Sequence, residues 1–487
     1  MKLLKDLIYG VRIEDIVGST NIAIEHVAYD SRKVGPFTMF VALKGTQVDG
    51  HVFIEKAIKD GAESIVCEEL PEVLQKGITY VKVLDSAKAL GVIAANFYDN
   101  PSEKLKLIGV TGTNGKTTSV TLMYDLFRLF GLKVGLISTV VNKIHNEVIE
   151  STHTTPNVLD LNDLLSKMVE KGCKYCFMEV SSHAVDQHRI HGVKFAGGVF
   201  TNITRDHLDY HKTFDNYIIA KKGFFDALPE GSFALVNADQ THGATMVQDS
   251  KAKVHTYSVN APSEFKTKVI EHSFAGLHLE LDKKDTYLKL IGDFNAYNAT
   301  VAYAAAVLLG RDKLEVLAAL SNLEPPAGRF QQVVTETGVI GIVDYAHTPD
   351  ALENVLKTIK NIRKGNEMVI TVVGCGGDRD KGKRPIMAEI AAKLSDQVIL
   401  TSDNPRTEDP DSIIQEMKAG VSDEDMKKVL AITKRKEAIN TACALAHRGD
   451  ILLVAGKGHE NYQIIGTETF PFDDMQIVTE TLKNLNK

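Results

Sequence analysis

Apolar residues recur along this chain in short runs separated by stretches of helical period, and the alternation is regular enough to lay out a fold. Alternation over 37–43 predicts a strand, with turns marked by Gly35-Pro36 and Asp49-Gly50. The run KLKLIGVT at 104–111 predicts a buried strand, the glycine-rich stretch after it a loop, and the segment through 129 a helix. Further on, VGLIS, YCFMEV, GGVFTNI and FALVNAD read as strands, with helices over VLDLNDLLSKMVEK and 217–227 between them. Such alternation implies a parallel sheet covered by helices. HSFAGLHLELDKKDTYLKL reads as a more antiparallel patch, and an alanine-rich helix follows over 295–309. After Pro325-Pro326-Ala327-Gly328 the rhythm restarts in VIGIVDYA, MVITVVGC, QVILTSD and DILLVAGKG, the pattern of a separate doubly wound unit.

The expected fold is therefore α/β in three domains. A small mixed α/β domain spans 1–101, a central P-loop-type domain with a mainly parallel sheet spans 102–328, and a Rossmann-like doubly wound domain spans 329–487. A chain of 487 residues, 44% hydrophobic, exceeds what one core can organise and carries enough apolar material for several. Asn100-Pro101-Ser102 reads as the first linker. No repeat of solenoid period and no low-complexity segment is present.

Charge narrows the class of ligand. A formal net charge of −7 and a pI near 6.2 disfavour nucleic acid and anionic membrane as partners, while a local basic pocket for small anions stays open. The opening MKLLKDLIYGVRIEDIV lacks a sustained apolar core and a small-residue cleavage site, so a cytoplasmic protein is expected. Five scattered cysteines do not make a disulfide framework; Cys173-x-x-Cys176 has no second pair for zinc and is read as structural.

The chemistry concentrates at TGTNGKTT, residues 111–118. Gly112 and Gly115 let backbone N–H groups of the loop, with Thr113 and Asn114, turn toward a polyphosphate; Lys116 can reach its outer oxygens and Thr117 can offer a hydroxyl to magnesium. The usual spacing leaves four residues before the Gly-Lys pair, whereas Gly112 leaves two and Gly109 five. Glu179 ends the strand YCFMEV, where parallel sheets bind ligands, and so can face the same magnesium. The stretch TNITRDHLDYH at 201–211 is dense in ionisable groups directly after an apolar strand, and His207 and Asp209 are candidate partners of a second cation.

Taken together, TGTNGKTT, EVSSHAVDQHR, TNITRDHLDYH, Tyr217-x-x-Ala220-Lys221, GDFNAYN, AGRFQQV, DYAHTPD, GCGGDRDKGKRP, DNPR and AGKGHE resemble the motif series of the Mur ligases, ATP-dependent amino-acid-adding enzymes of peptidoglycan synthesis. Asp30-Ser31-Arg32 extends the resemblance into the first domain, which it makes the UDP-sugar-binding one; the central domain would bind ATP and the third the amino acid. The resemblance implies that ATP phosphorylates a carboxylate of UDP-MurNAc-L-Ala-D-Glu and that an amine of meso-diaminopimelate attacks the acyl phosphate; a monomer is expected, though the sequence itself does not encode oligomeric state. Two magnesium ions are implied, one on Thr117 and Glu179, the other on His207 and Lys221 as its CO2-derived carbamate, with Lys116 as the cation on the phosphates. On its own, Lys221 beside Lys222 reads as a solvated surface lysine.

Thr118 completes the implied nucleotide set together with Asn298 near the adenine, and Arg329 and Asp344 from beyond the hinge; closure of the third domain would carry Arg329 into the phosphate field. Ser31, Thr154, Thr155, Ser181, Gln187 and Arg189 are implied for the nucleotide-sugar peptide. Arg379, Asp403, Asn404, Pro405, Arg406, Gly456 and Glu460 are implied for diaminopimelate, with Arg406 clamping the far carboxylate and Glu460 taking the ammonium. His183 and His188 receive no role. The alternatives are a lysine-adding relative, a folylpolyglutamate synthetase, or a nucleotide switch that does not ligate.

Overall fold

The computed structural model describes residues 1–45, 48–151 and 153–487, whose three large sheets each pack on apolar cores; two further sheets have two strands apiece. Near the N-terminus, strands Ile13–Val17, Thr79–Val83, Ala62–Cys67, Thr38–Val41 and His26–Ala28 lie side by side in that order, antiparallel at the first pair and parallel after it. The strand read over 37–43 is thus the shorter Thr38–Val41, buried along its whole length. Helix Ser86–Phe97, capped by Asp85 accepting from Lys88 N–H, packs its Ala89, Leu90, Ile93 and Ala94 face on the sheet.

The central sheet has eleven strands. Val134–Ile137, Tyr175–Glu179, Lys106–Thr111, Gly197–Phe200, Phe233–Asn237 and Lys253–Ser258 run parallel at its middle. A sheet covered on both faces needs strands without polar alternation, and YCFME and KLIGVT meet that need. The patch read as antiparallel is the meander Phe265–Ser273, Gly276–Leu281, Lys284–Leu288 at one edge. Helix Asp293–Leu308 turns an alanine-rich flank (Ala296, Ala299, Ala302) into the core it shares with helix Lys116–Leu129.

Helix Phe214–Asp226 lies on the opposite face, and two glycines set how close it comes. A Cβ on Gly109 would stand 2.6 Å from Phe224, and one on Gly198 2.9 Å from the same ring. Glycine at both strand positions lets the helix sink onto the sheet, which carries Lys221 to the strand ends.

The third sheet orders Gln331–Val334, Ile340–Asp344, Ile451–Ala455, Val369–Cys375, Gln397–Ser402 and Val429–Ala431, parallel except at its first pair. Helices Pro349–Ile362 and Lys383–Leu394 cover one face and Arg435–Leu445 and Asp474–Asn484 the other. Among the described residues, no helix is long and apolar enough to cross a membrane.

Candidate functional site

The loop after strand Lys106–Thr111 is strapped from the next strand's end. Asn202 accepts from Thr113 N–H at 2.9 Å and, through Oδ1, from Asn114 N–H at 2.8 Å, while Thr201 Oγ1 donates to Asn114 O at 2.7 Å. A Cβ on Gly112 would lie 1.9 Å from Thr201 Oγ1, so only glycine admits this strap. Gly115, at φ 86°, starts helix Lys116–Leu129 from the left-handed region, where glycine carries no steric penalty. The first N–H groups of that helix have no intrahelical acceptor, which makes its start a cradle for anions. Asn298 supports the loop from beneath, its Oδ1 accepting from Ser119 Oγ at 3.2 Å.

Lys116 folds back on its own loop, donating from Nζ to Gly112 O and Thr113 O, each at 2.8 Å. Thr117 Oγ1 donates to Glu179 Oε1 at 2.9 Å, and the fully buried carboxylate also accepts from Thr139 N–H at 2.8 Å and Thr139 Oγ1 at 3.2 Å. Arg329 reaches the same hydroxyl, Nη2 donating at 3.1 Å, with its guanidinium carbon 4.6 Å from the centre of the Tyr345 ring. Asp344 accepts from Phe330 N–H at 2.7 Å, and burial pushes its carboxyl up to about 6 against the pull of Arg329.

Lys221 is not a surface lysine: it is 1% exposed and donates from Nζ to Gly112 O at 2.9 Å. Burial, reinforced by Lys116, holds its ammonium well below the ordinary lysine range. Desolvating one ammonium beside another costs several kcal/mol, which shifts the balance toward the neutral amine. Tyr217 separates it from His207, its ring 4.7 Å from Lys221 Nζ and 6.1 Å from the imidazole. Burial brings His207 down to about 4 despite Asp206, leaving a neutral imidazole with a lone pair to give. His183, given no role from sequence, stacks edge-on against His207 with ring centres 4.9 Å apart.

The residues expected to meet the nucleotide-sugar peptide form one connected strip. Thr155 Oγ1 donates to Glu179 O at 2.8 Å and accepts from Ser181 N–H at 3.1 Å. Arg189 donates to Thr155 O at 3.1 Å and to Gln187 Oε1 at 2.9 Å, and Thr154 Oγ1 accepts from Thr139 at 3.1 Å. Ser31 stands apart in the first domain, at the start of the short helix Ser31–Lys33; nearby Tyr29 feels the charges of Arg189 and Asp160.

In the third domain, Asp403, Asn404, Pro405 and Arg406 follow strand Gln397–Ser402, and Gly456 and Glu460 follow strand Ile451–Ala455. Arg406 donates from Nη1 to Gly377 O at 2.8 Å. Glu460 Oε2 accepts from Asn404 Nδ2 at 2.9 Å, while burial and Asp403 push its carboxyl up. Arg379 is exposed on the glycine turn, with Nη1 3.4 Å from Asp378 O.

Family models match three consecutive parts of the chain: the Mur ligase family catalytic domain at 23–98, the Mur ligase middle domain at 110–306 and the Mur ligase glutamate ligase domain at 328–458. A UDP-N-acetylmuramoyl-L-alanyl-D-glutamate–2,6-diaminopimelate ligase of Cytophaga hutchinsonii is 56% identical over 485 residues, 99% of this chain and 100% of that one. The chain belongs to the Mur ligase family. A protein of the same description from Phocaeicola vulgatus is 55% identical over 484 residues, 99% of this chain and 100% of its own. A solved structure so described superposes with a TM-score of 0.71 at 32% identity, covering 100% of this chain and 99% of that one. The structure of a MurF ligase from Thermotoga maritima in complex with ADP, 16% identical, shares the fold with a TM-score of 0.60 over 94% of this chain and 97% of that one.

Three polar residues of this Mur ligase escape sequence reasoning. Lys457 is fully buried between Asn404 and Glu460. His347 is half-buried: desolvation pulls it down to about 4, and its neighbour Lys383 donates to His347 O at 2.8 Å. Asp350 accepts from Asn114 Nδ2 at 2.7 Å, tying the phosphate loop to helix Pro349–Ile362. Each stands inside a motif, but nothing local marks its burial.

Proposed function

We propose that this Mur ligase adds meso-diaminopimelate to UDP-MurNAc-L-Ala-D-Glu, converting ATP to ADP and phosphate, in the building of the peptidoglycan precursor. The observation that carries the proposal is the approach of Arg329 to Thr117 at 3.1 Å, which gathers groups from two sheets' strand ends around one anion-binding loop. An enzyme joining two anions, triphosphate and carboxylate, needs concentrated positive charge at that point. Cytoplasmic location and a monomeric state are part of the same proposal.

The residues present fit the cations implied. Among the described residues no three His, Cys, Asp or Glu side chains converge as a metal cage. A hydroxyl and a carboxylate bonded at 2.9 Å, Thr117 and Glu179, are the sparse oxygen set that magnesium accepts when phosphates and water complete its shell. For a second ion, His207 is neutral, and the burial that lowers the Lys221 pKa favours the amine form that captures CO2. Bound magnesium supplies charge neutralisation on the phosphate oxygens.

The chain's own groups do the rest. Lys116 leaves Gly112 O and Thr113 O to meet the outer phosphate, and Arg329, already at Thr117, joins it there. Arg189, with Thr155 and Ser181, orients the peptide so that a carboxylate oxygen attacks phosphorus; ADP leaves and a mixed anhydride forms. The attacking amine then displaces phosphate, a far better leaving group than oxide. Glu460 and Arg406 hold the far ammonium and carboxylate of diaminopimelate, and lysine, lacking the second carboxylate, leaves Arg406 unmatched.

The test is phosphate release with each substrate omitted in turn and with lysine replacing diaminopimelate. Release that requires both UDP-MurNAc-L-Ala-D-Glu and diaminopimelate is expected. Release independent of both would instead mark a nucleotide switch, and equal use of lysine would overturn the assignment of the amino acid.

A further inference from the structure

Lys457 has no part in the scheme above, yet it is a fully enclosed cation at the third domain's strand ends, 0% exposed. Its ammonium has three donors and three acceptors at bonding distance: Tyr462 O at 2.7 Å, Asn404 Oδ1 at 2.8 Å and Glu460 Oε2 at 3.2 Å. Asp403 Oδ1 stands 3.9 Å away. Three acceptors for three donors leave none of its hydrogens unpaired, which fixes where the side chain sits.

The matching dictates how the neighbours are oriented. Lys457 Nζ and Ile464 N–H can only donate, and both point at the same atom of Asn404, at 2.8 and 3.0 Å, so that atom is the amide oxygen. The amide nitrogen must then face the other way, where it donates to Glu460 Oε2 at 2.9 Å. Oε2 is thereby occupied twice, by Lys457 and Asn404. Oε1 has only a long contact, Tyr345 Oη at 3.5 Å. Gly456 permits the crowding, since a Cβ there would meet Asp403 Oδ2 at 2.7 Å. Oε1 of Glu460 is thus the acceptor left open in this cluster.

Resting on the reading of Glu460 as the acceptor of the far ammonium, we propose that Lys457 is the positioning residue of the amino-acid pocket. By fixing Oε2 of Glu460 and the amide of Asn404, it reserves Oε1 for the ammonium of diaminopimelate that does not react. Its effect belongs to recognition of that one group, not to the nucleotide or to the acyl transfer.

The experiment compares meso-diaminopimelate with 2-aminopimelate, which keeps both carboxylates and the reacting amine but lacks the far ammonium. In Lys457→Met the KM for diaminopimelate should rise about 10- to 100-fold, the worth of a charge-assisted hydrogen bond. The constants for 2-aminopimelate and ATP should stay put, so discrimination between the two amino acids collapses. Lys457→Arg should restore part of that discrimination, and Lys457→Met should add little in a Glu460→Gln background. Equal loss toward both amino acids, or no loss toward either, would overturn the role of Lys457. Wild-type protein that fails to use diaminopimelate would instead remove the ligase reading beneath it, and the inference with it. If Lys457→Met does not fold, Asn404→Leu cuts the same relay and is read by the same comparison.

Discussion

Arg329 of the third domain donates from Nη2 to Oγ1 of Thr117, the residue after the loop lysine, across 3.1 Å. The contact joins the arginine that follows Gly328 to the hydroxyl that also meets Glu179, so domain arrangement and phosphate chemistry share one hydrogen bond. Arg329→Ala should lower kcat by roughly two to three orders of magnitude, as for loss of a donor that meets developing charge. Arg329→Lys should recover little, because a point ammonium cannot both bond Thr117 and stack on Tyr345. Steady-state kinetics at saturating ATP check this, and an unchanged kcat in Arg329→Ala would remove the arginine from the phosphate field.

Gly112→Ala should abolish nucleotide binding while the fold survives. The added methyl would sit 1.9 Å from Thr201 Oγ1, forcing apart the strap that orders Asn114. Calorimetry with an ATP analogue should show binding lost, with thermal unfolding of the protein little moved; retained affinity would mean the loop tolerates displacement.

Lys221 should carry a carbamate. Burial and the neighbouring Lys116 lower its pKa and so raise the share of neutral amine, and only the neutral amine combines with CO2. Equilibration with 13C-bicarbonate should yield one carbamate carbon resonance that is missing from Lys221→Ala, and activity should fall in CO2-free buffer. Full activity there with an unmodified lysine would contradict the second cation site.

How far the sequence carried depends on where each property originates. TGTNGKTT is legible as strand, turn and helix start because these are set by neighbours in the chain, and Gly112 and Gly115 both take positive φ there. The three-part α/β layout is legible for the same reason, since burial on both faces erases polar alternation. Lys221 was legible only through resemblance: its burial arises from helix Phe214–Asp226 sinking onto Gly109 and Gly198, contacts over a hundred residues apart in one case. Lys457 and His347 lay wholly beyond reach, because their surroundings exist only once the ends of separate strands converge.

Stability should decline as pH falls from neutrality. Burial lowers His347 to about 4 from 6.5, so between those values the unfolded chain binds a proton that the folded one does not. The stabilisation is therefore present above pH 6.5 and lost as pH falls toward 4, about 2 kcal/mol of it by pH 5. His459, lowered to about 3, acts in the same direction. Asp344 opposes them: raised to about 6 from 3.8, its contribution is full at low pH and lost as pH rises through 6. Urea unfolding at pH 7 and pH 5 should show a drop that is smaller in His347→Gln, and an identical drop in both proteins would exclude this histidine.

The transfer of oxygen from peptide to phosphate is the most direct test of the ligase chemistry. UDP-MurNAc-L-Ala-D-Glu labelled with 18O in its free carboxylates is converted with ATP and diaminopimelate, and the released phosphate is weighed by mass spectrometry. One 18O atom in each phosphate is the expected result, since the carboxylate oxygen that attacks phosphorus departs with it. Unlabelled phosphate released alongside normal amide formation would contradict activation through an acyl phosphate.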